Sequence, residues 1–252
     1  MQRKEKESRG AVAIARYLPT YENGEKQGNI PMKLLANALV KFTCGLWMVA
    51  LLIFLPAGTL HFFNGWLLIG LLFVPMLIAG FVMYFKNPAF LEKRLDVKEK
   101  QGTQKGVIAF SGLMFIAGFV VAGLDFRFGW SYVSKAVLVA ASVLFLLAYL
   151  LYAEVMRENA YLSRTVKVEK GQTVVDTGLY SIVRHPMYMV TILLFLAIPV
   201  ILGSWYALII FAFYPAIIVV RLKDEEELLS RELPGYPEYK QKVKYRMLPF
   251  IW

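Results

Sequence analysis

Apolar runs broken by short polar stretches fill the first 153 residues: Leu34 to Leu55, Trp66 to Phe85, Val107 to Leu124 and Val133 to Ala153. Each is close to the roughly 20 residues that a helix needs to cross about 30 Å of hydrocarbon. A fifth and a sixth run come from the apolar stretch after Pro186, which breaks near Leu202-Gly203-Ser204-Trp205. The pattern predicts an all-α fold: a polytopic membrane helix bundle of about six transmembrane helices, paired as three hairpins.

The polar positions divide the chain further. Residues 1–33 read as a polar arm, with turn signals at Glu22-Asn23-Gly24 and Gln27-Gly28-Asn29 and a short helix around Ala11 to Tyr17. Four spans occupy 34–153, and the segment from Lys86 to Lys105 between two of them reads as a solvated connector. A different region begins at 154 and runs to 252. Glu154, Arg157, Glu158, Asn159 and Arg164 extend the fourth helix as a polar stalk. The β-branched piece Thr173-Val174-Val175, flanked by Gly171 and by Asp176-Thr177-Gly178, reads as a short extended segment over the cytoplasmic mouth. After Arg221 a charged helix carries leucines at 222, 228, 229 and 233 and stops at Pro234-Gly235. The tail to Trp252 interleaves aromatic and basic residues, as expected of a segment lying against the membrane interface. The first apolar run starts too late and is too long for a signal-peptide core, so it is expected to be retained.

Composition agrees with this reading, with 58% hydrophobic and 18% charged residues among 252. A formal charge of +10 raises the question of nucleic acid. The positions of the 28 lysines and arginines answer it, because all but Lys41, Arg127 and Lys135 fall on one side of a six-span topology. That asymmetry places both termini in the cytoplasm and explains the basic excess by topology and anionic lipid. No nucleic acid partner is expected.

Metal chemistry is not expected either. Cys44 is the single cysteine, and it lies within an apolar run where it reads as a small filler. The two histidines, His61 and His185, fall in separate hairpins with no His-Glu-x-x-His spacing. His61, in His61-Phe62-Phe63-Asn64-Gly65, reads as an interfacial belt residue.

The chemistry-bearing groups gather at the two feet of the last hairpin. Pro186 suits a first helical turn, which puts His185 at a helix N-terminus with Arg184 before it and Tyr188 one turn in. Unpaired N–H groups and the helix dipole favour an anionic ligand at such a place; equally, Arg184, His185 and Tyr188 read as ordinary interfacial residues. At the other foot Arg221 and Glu225 share a helix face. Arginine before glutamate is the weaker order for helix stabilisation, and polar groups at membrane depth are costly, so this pair tilts toward function.

Gly178-x-Tyr180, then Val183-Arg184-His185-Pro186-x-Tyr188, then an apolar hairpin with Leu202-Gly203-Ser204-Trp205, then Arg221-x-x-x-Glu225-Glu226, Gly235-Tyr236-x-x-Tyr239 and Leu248-Pro249 carry a family resemblance. Over roughly the last third of the chain, from about Glu154 to Trp252, the sequence resembles the isoprenylcysteine carboxyl methyltransferases and their prokaryotic relatives. The resemblance implies S-adenosylmethionine as cofactor, held under the cytoplasmic segment and between the last two spans, although the Gly-x-Gly-x-Gly turn of soluble methyltransferases is missing. It implies that Gln172, Thr173, Val174 and Val175, with Tyr180, line the cofactor; that His185, Pro186, Met187 and Tyr188 contact it; and that Glu225 meets its polar end. Arg221 takes the place of the substrate-side arginine. The chain departs from the family at Met189-Val190, where a glycine is frequent.

The implied reaction is methylation of a carboxylate on an isoprenylcysteine-like or other lipophilic acceptor that enters from the membrane lipid. A carboxylate is already ionised at neutral pH, so Arg221 and Glu225 act by alignment and anchoring, not as acid or base. Methylation of a phospholipid amine is the alternative, and it would require Glu225, Glu226 or Glu154 as a base. A nicotinamide-dependent sterol reductase and a non-enzymatic membrane protein are the further alternatives.

Overall fold

The computed structural model describes residues 32–96, 102–163 and 165–252. The N-terminal arm up to residue 31, with its short helix, and Arg164 of the stalk lie outside the described residues. Nine α-helices are described: α1 Met32–Ala57, α2 Phe63–Lys86, α3 Pro88–Leu95, α4 Gly102–Phe128, α5 Lys135–Glu158, α6 Pro186–Leu202, α7 Trp205–Phe211, α8 Tyr214–Glu232 and α9 Tyr236–Lys242. No strand is assigned among the described residues, so the extended piece at 173–175 pairs with no neighbour in a sheet.

The bundle is polytopic and all-helical. Five stretches are long and apolar enough to cross a membrane: α1, α2, Gln104–Phe128 of α4, α5, and Trp205–Glu232, which combines α7 and α8. The remaining apolar helix, α6, has 17 residues, about 26 Å at 1.5 Å per residue. Its shortness has local causes at both ends. Pro186 fixes the first turn, and Gly203 closes the last in the left-handed region with φ +83°. The break between α7 and α8 also has a cause. Pro215 cannot donate to the carbonyl four residues back, and its ring crowds the preceding turn.

Packing does not follow chain order. Helix α5 lies most intimately against α6, whereas α4 packs on α1, α7 and α8, so the third and fourth spans diverge after their connecting loop. The approach of α1 to α4 is set by Gly123. A Cβ there would come within 2.5 Å of the Ile53 carbonyl oxygen and 3.1 Å of the Ala57 nitrogen. Small residues at such crossings let backbones meet where lipid offers no hydrophobic drive to associate. Phe115, Phe119, Phe195, Phe211 and Tyr214 form an aromatic cluster between α4, α6, α7 and α8. Exposed Val40, Leu51, Val74, Ile78, Leu113 and Leu150 give the outer surface its apolar character.

The two ends of the bundle differ. At the end away from the hairpin feet, buried Asp125 accepts from Ser131 N at 2.7 Å, Ser131 Oγ at 2.7 Å and Ser204 Oγ, pinning the α4–α5 loop to the α6–α7 turn. The polar end carries α3, which replaces part of the solvated connector expected between Lys86 and Lys105. Asn87 caps it by accepting from Phe90 N at 3.0 Å, and Pro88 opens it. Phe90 and Leu91 are buried, Lys41 Nζ donates to the Leu95 carbonyl at 2.7 Å, and Lys93 meets Glu169 at 2.5 Å. This short helix thus ties α1 to the segment that follows the stalk.

Candidate functional site

His185 caps α6 and Pro186 opens it. Two backbone bonds hold this foot: Arg184 N to the Tyr245 carbonyl at 2.9 Å, and His185 N to that of Arg246 at 2.8 Å. Arg184 is 6% exposed, and its guanidinium donates from Nε to Glu226 Oε1 at 2.6 Å and from Nη1 to the Val243 carbonyl at 2.6 Å and the Lys244 carbonyl at 2.9 Å. Glu226, itself 3% exposed, also accepts from Arg246 Nε at 3.1 Å and lies 3.3 Å from His185 Nε2. The anion at this helix terminus is therefore the chain's own carboxylate. Taking a carboxylate out of water is expensive, and several compensating donors make the burial tolerable.

Tyr188 joins the two feet. Its hydroxyl donates to Glu225 Oε2 and accepts from Arg221 Nε at 3.0 Å. The Arg221–Glu225 spacing on α8 brings both side chains to one phenol on α6, which is 3% exposed. Neither foot is a plain surface ion pair.

The segment between stalk and foot is clamped over this junction. Gly178 has φ +51°, and a Cβ on it would fall inside the Glu158 carboxylate, which accepts from Leu179 N at 2.9 Å. Asn159 Nδ2 donates to the Tyr180 hydroxyl at 3.0 Å, and the Tyr239 hydroxyl donates to the Tyr180 carbonyl at 2.7 Å. Burial pushes the phenols of Tyr236 and Tyr239 above the ordinary tyrosine range, with Glu226 adding to the first and Tyr180 to the second. Both remain protonated donors at neutral pH.

Beneath the segment lies a cavity of about 90 Å³. Gln172, Thr173, Val174, Val175, Tyr180, His185, Met187, Tyr188, Arg221 and Glu225 all line it. Of the residues that the resemblance assigns to cofactor or acceptor only Pro186 is not in its wall; it shapes the helix start below. The same wall includes Asn159, Leu228, Leu229, Tyr236 and Tyr239, which sequence reasoning did not assign. The Gly235-Tyr236-x-x-Tyr239 spacing was the available signal, since a left-handed glycine with φ +83° turns α9 back so that both tyrosines face α8 and the foot.

A second space adjoins the first. An apolar cleft of about 2340 Å³ opens between helices, with Phe115, Thr191, Leu194, Phe195, Tyr214 and Ile218 in its wall. Val174, Val175, Met187, Tyr188 and Arg221 belong to both walls. A polar-walled cavity and an apolar cleft therefore meet at the Tyr188–Arg221 contact.

The family described as isoprenylcysteine carboxyl methyltransferase (ICMT) matches residues 135–231. The likeness to that family is confined to this stretch. It runs from the first residue of α5 to the last turn of α8, so it holds the stalk, the clamped segment, both feet and the hairpin between them. No curated protein matches the chain. Among the described residues no group of three or more histidine, cysteine, aspartate and glutamate side chains could hold a metal ion. Cys44 is exposed on α1 and His61 on the α1–α2 turn, both remote in sequence from the matched stretch.

Proposed function

We propose that the protein is an S-adenosylmethionine-dependent methyltransferase that esterifies the carboxylate of an isoprenylcysteine-like or other lipophilic acceptor entering from the bilayer. The observation that carries this reading is the meeting of the small polar-walled cavity with the large apolar cleft at Tyr188 and Arg221.

The residues fit the cofactor in their chemistry. Among the described residues the backbone groups of Thr173, Val174 and Val175 make no hydrogen bond, which leaves donors and acceptors able to read the edge of a purine. Tyr236, Tyr239, Leu228 and Leu229 offer aromatic and apolar walls, and Glu225 offers a carboxylate for an ammonium or a sugar hydroxyl. The cavity alone is small beside the roughly 300–1,000 Å³ of ordinary ligand sites, and the walls it shares with the cleft give further room. Gln172, Thr173, Val174, Val175, Tyr180, His185, Met187, Tyr188 and Glu225 would hold the cofactor, with Pro186 setting the turn that carries them. When bound, it supplies an electrophilic methyl group on a sulfonium.

The chain's own part is alignment and exclusion of water. Arg221, its Nε edge held by the Tyr188 hydroxyl, presents a planar guanidinium suited to paired, charge-assisted bonds with an acceptor carboxylate. The cleft wall of Phe195, Leu194 and Ile218 receives an apolar tail and keeps water from the reacting end. No base is required, and none of the three carboxylates named for an amine acceptor is unengaged: Glu226 is held by Arg184, Glu225 by Tyr188, and Glu154 by Arg157 at 2.5 Å. This favours the carboxylate acceptor over a phospholipid amine.

The orientation and division of labour are part of the same reading. The basic excess at the polar end supports a site facing the cytoplasm with both termini on that side. Residues 34–153 would form a platform of four spans for a catalytic region at 154–252. The test is transfer of a radiolabelled methyl group, offered to a prenylcysteine analogue and, separately, to an aminophospholipid. Labelled base-labile ester from the first supports the reading; label only in the second overturns it.

A further inference from the structure

Helix α3 lies outside the stretch that matches the ICMT family, and its last turn places Arg94 in the wall of the apolar cleft, which also contains Arg221. One guanidinium nitrogen of Arg94, Nη2, donates to the Tyr152 hydroxyl from the face of α5, and the guanidinium carbon lies 5.6 Å from that ring's centroid. The other nitrogen, Nη1, is buried and has no hydrogen-bond partner among the described residues. A charged donor withdrawn from water without a partner is costly, and at the edge of a membrane such a group marks a site by default. Its neighbour Lys93 is neutralised by Glu169, and Lys41 is spent on the Leu95 carbonyl, so among the described residues Arg94 is the cation of α3 in the cleft wall that has no anionic partner.

We propose that Arg94 is an acceptor-binding residue: it receives an anionic oxygen pair on the head of an amphipathic acceptor whose tail lies in the cleft. This deepens the reading of the cleft as the acceptor site and rests on it. The fork geometry of a guanidinium matches two-oxygen anions, carboxylate or phosphate, and not a neutral amide or an ammonium. Tyr152 holds one nitrogen of the fork and so fixes the plane in which the other is presented. Arg221 stands at the cavity junction and Arg94 stands on α3, so the cleft carries a cation from each half of the chain. It is thereby built to select anions before any chemistry occurs.

The test uses purified full-length protein in detergent. N-acetyl-S-farnesylcysteine is titrated against its carboxamide, with farnesyl phosphate as the phosphate arm, and S-adenosylhomocysteine is titrated into the same samples. The wild type is expected to prefer the anions over the carboxamide, and Arg94→Gln is expected to reduce that preference roughly tenfold or more, with carboxamide and S-adenosylhomocysteine binding unchanged. A full anion preference in folded Arg94→Gln overturns the proposal, as does a wild type indifferent to charge. Should Arg94→Gln not fold, phenylglyoxal labelling of the wild type decides: protection of Arg94 by the anionic probe and not by the carboxamide supports the assignment, and equal labelling with both overturns it. Failure of S-adenosylhomocysteine to bind the wild type would count against the cofactor reading alone, because the anion arms decide Arg94 by themselves.

Discussion

Arg184 and Glu226 lie 42 positions apart in sequence and meet Nε to Oε1 at 2.6 Å, with their side chains 5% and 4% exposed. One precedes the last apolar hairpin and the other follows it, so this pair closes the hairpin at the polar end. Arg184→Ala leaves Glu226 buried with part of its compensation gone. Breaking a buried pair from one side costs about 3–5 kcal/mol, and we expect a large drop in the thermal midpoint of the detergent-solubilised protein. Exchanging both residues for apolar ones of similar volume should cost much less than the single change, and a thermal-shift series reads both.

Tyr188→Phe removes the hydroxyl shared by Arg221 and Glu225 and leaves the packing of the ring in place. The hairpin should remain folded, and methyl transfer should fall by about tenfold, the cost of one hydrogen bond to a charged group. The loss is expected in turnover at saturating acceptor, measured in the radiolabel assay. An unchanged rate would show that the phenol does not orient Arg221.

Gly178→Ala meets two obstacles at once: a positive φ and the Glu158 carboxylate in the space of the new Cβ. Glu158 cannot yield without releasing the Leu179 N–H that it accepts. We expect the segment over the cavity to shift and S-adenosylhomocysteine affinity to weaken, while the far end of the bundle stays intact. Calorimetry beside hydrogen exchange of residues 172–182 separates this local change from global unfolding.

Gly123→Ala pushes α4 off the Ile53 carbonyl of α1, a backbone contact that no rotamer change relieves. Overpacking of this kind costs about 1–3 kcal/mol. The expected outcome is a lower unfolding midpoint with acceptor and cofactor affinities unaltered, because Ile53, Ala57 and Gly123 line neither the cleft nor the small cavity.

The spans and the two feet were legible in the sequence for a physical reason. Apolar run length is set by bilayer thickness, and Pro186 and Gly203 bracket α6 by their own backbone constraints. The convergence of Tyr188, Arg221 and Glu225 followed from an apolar hairpin that returns the chain to the same end. What could not be read was the phase of α8. Asp224, Glu225, Glu226 and Glu227 are four consecutive acids, and only the turn at Ala212 and Phe213 decides which faces what. Glu225 reaches Tyr188, Glu226 turns into the buried cluster, Asp224 accepts from Gln104 of α4 at 2.5 Å, and Glu227 faces outward. Nor could adjacency in sequence foretell that α4 leaves α5 for α1, since that choice depends on the close contact at Gly123. Helix α3 was announced by Asn87-Pro88 and masked by the mixed charges that follow.

In the proposed function the cavity beneath residues 172–175 holds the methyl donor, with Glu225 meeting its polar end. Isothermal titration of S-adenosylhomocysteine into the detergent-purified protein, wild type beside Glu225→Gln, tests it most directly, with NADPH as a control titrant. We expect binding of S-adenosylhomocysteine by the wild type, a loss of tenfold or more in Glu225→Gln for removal of a charged partner, and no binding of NADPH. Wild-type binding of NADPH alone, or of neither compound, would contradict it.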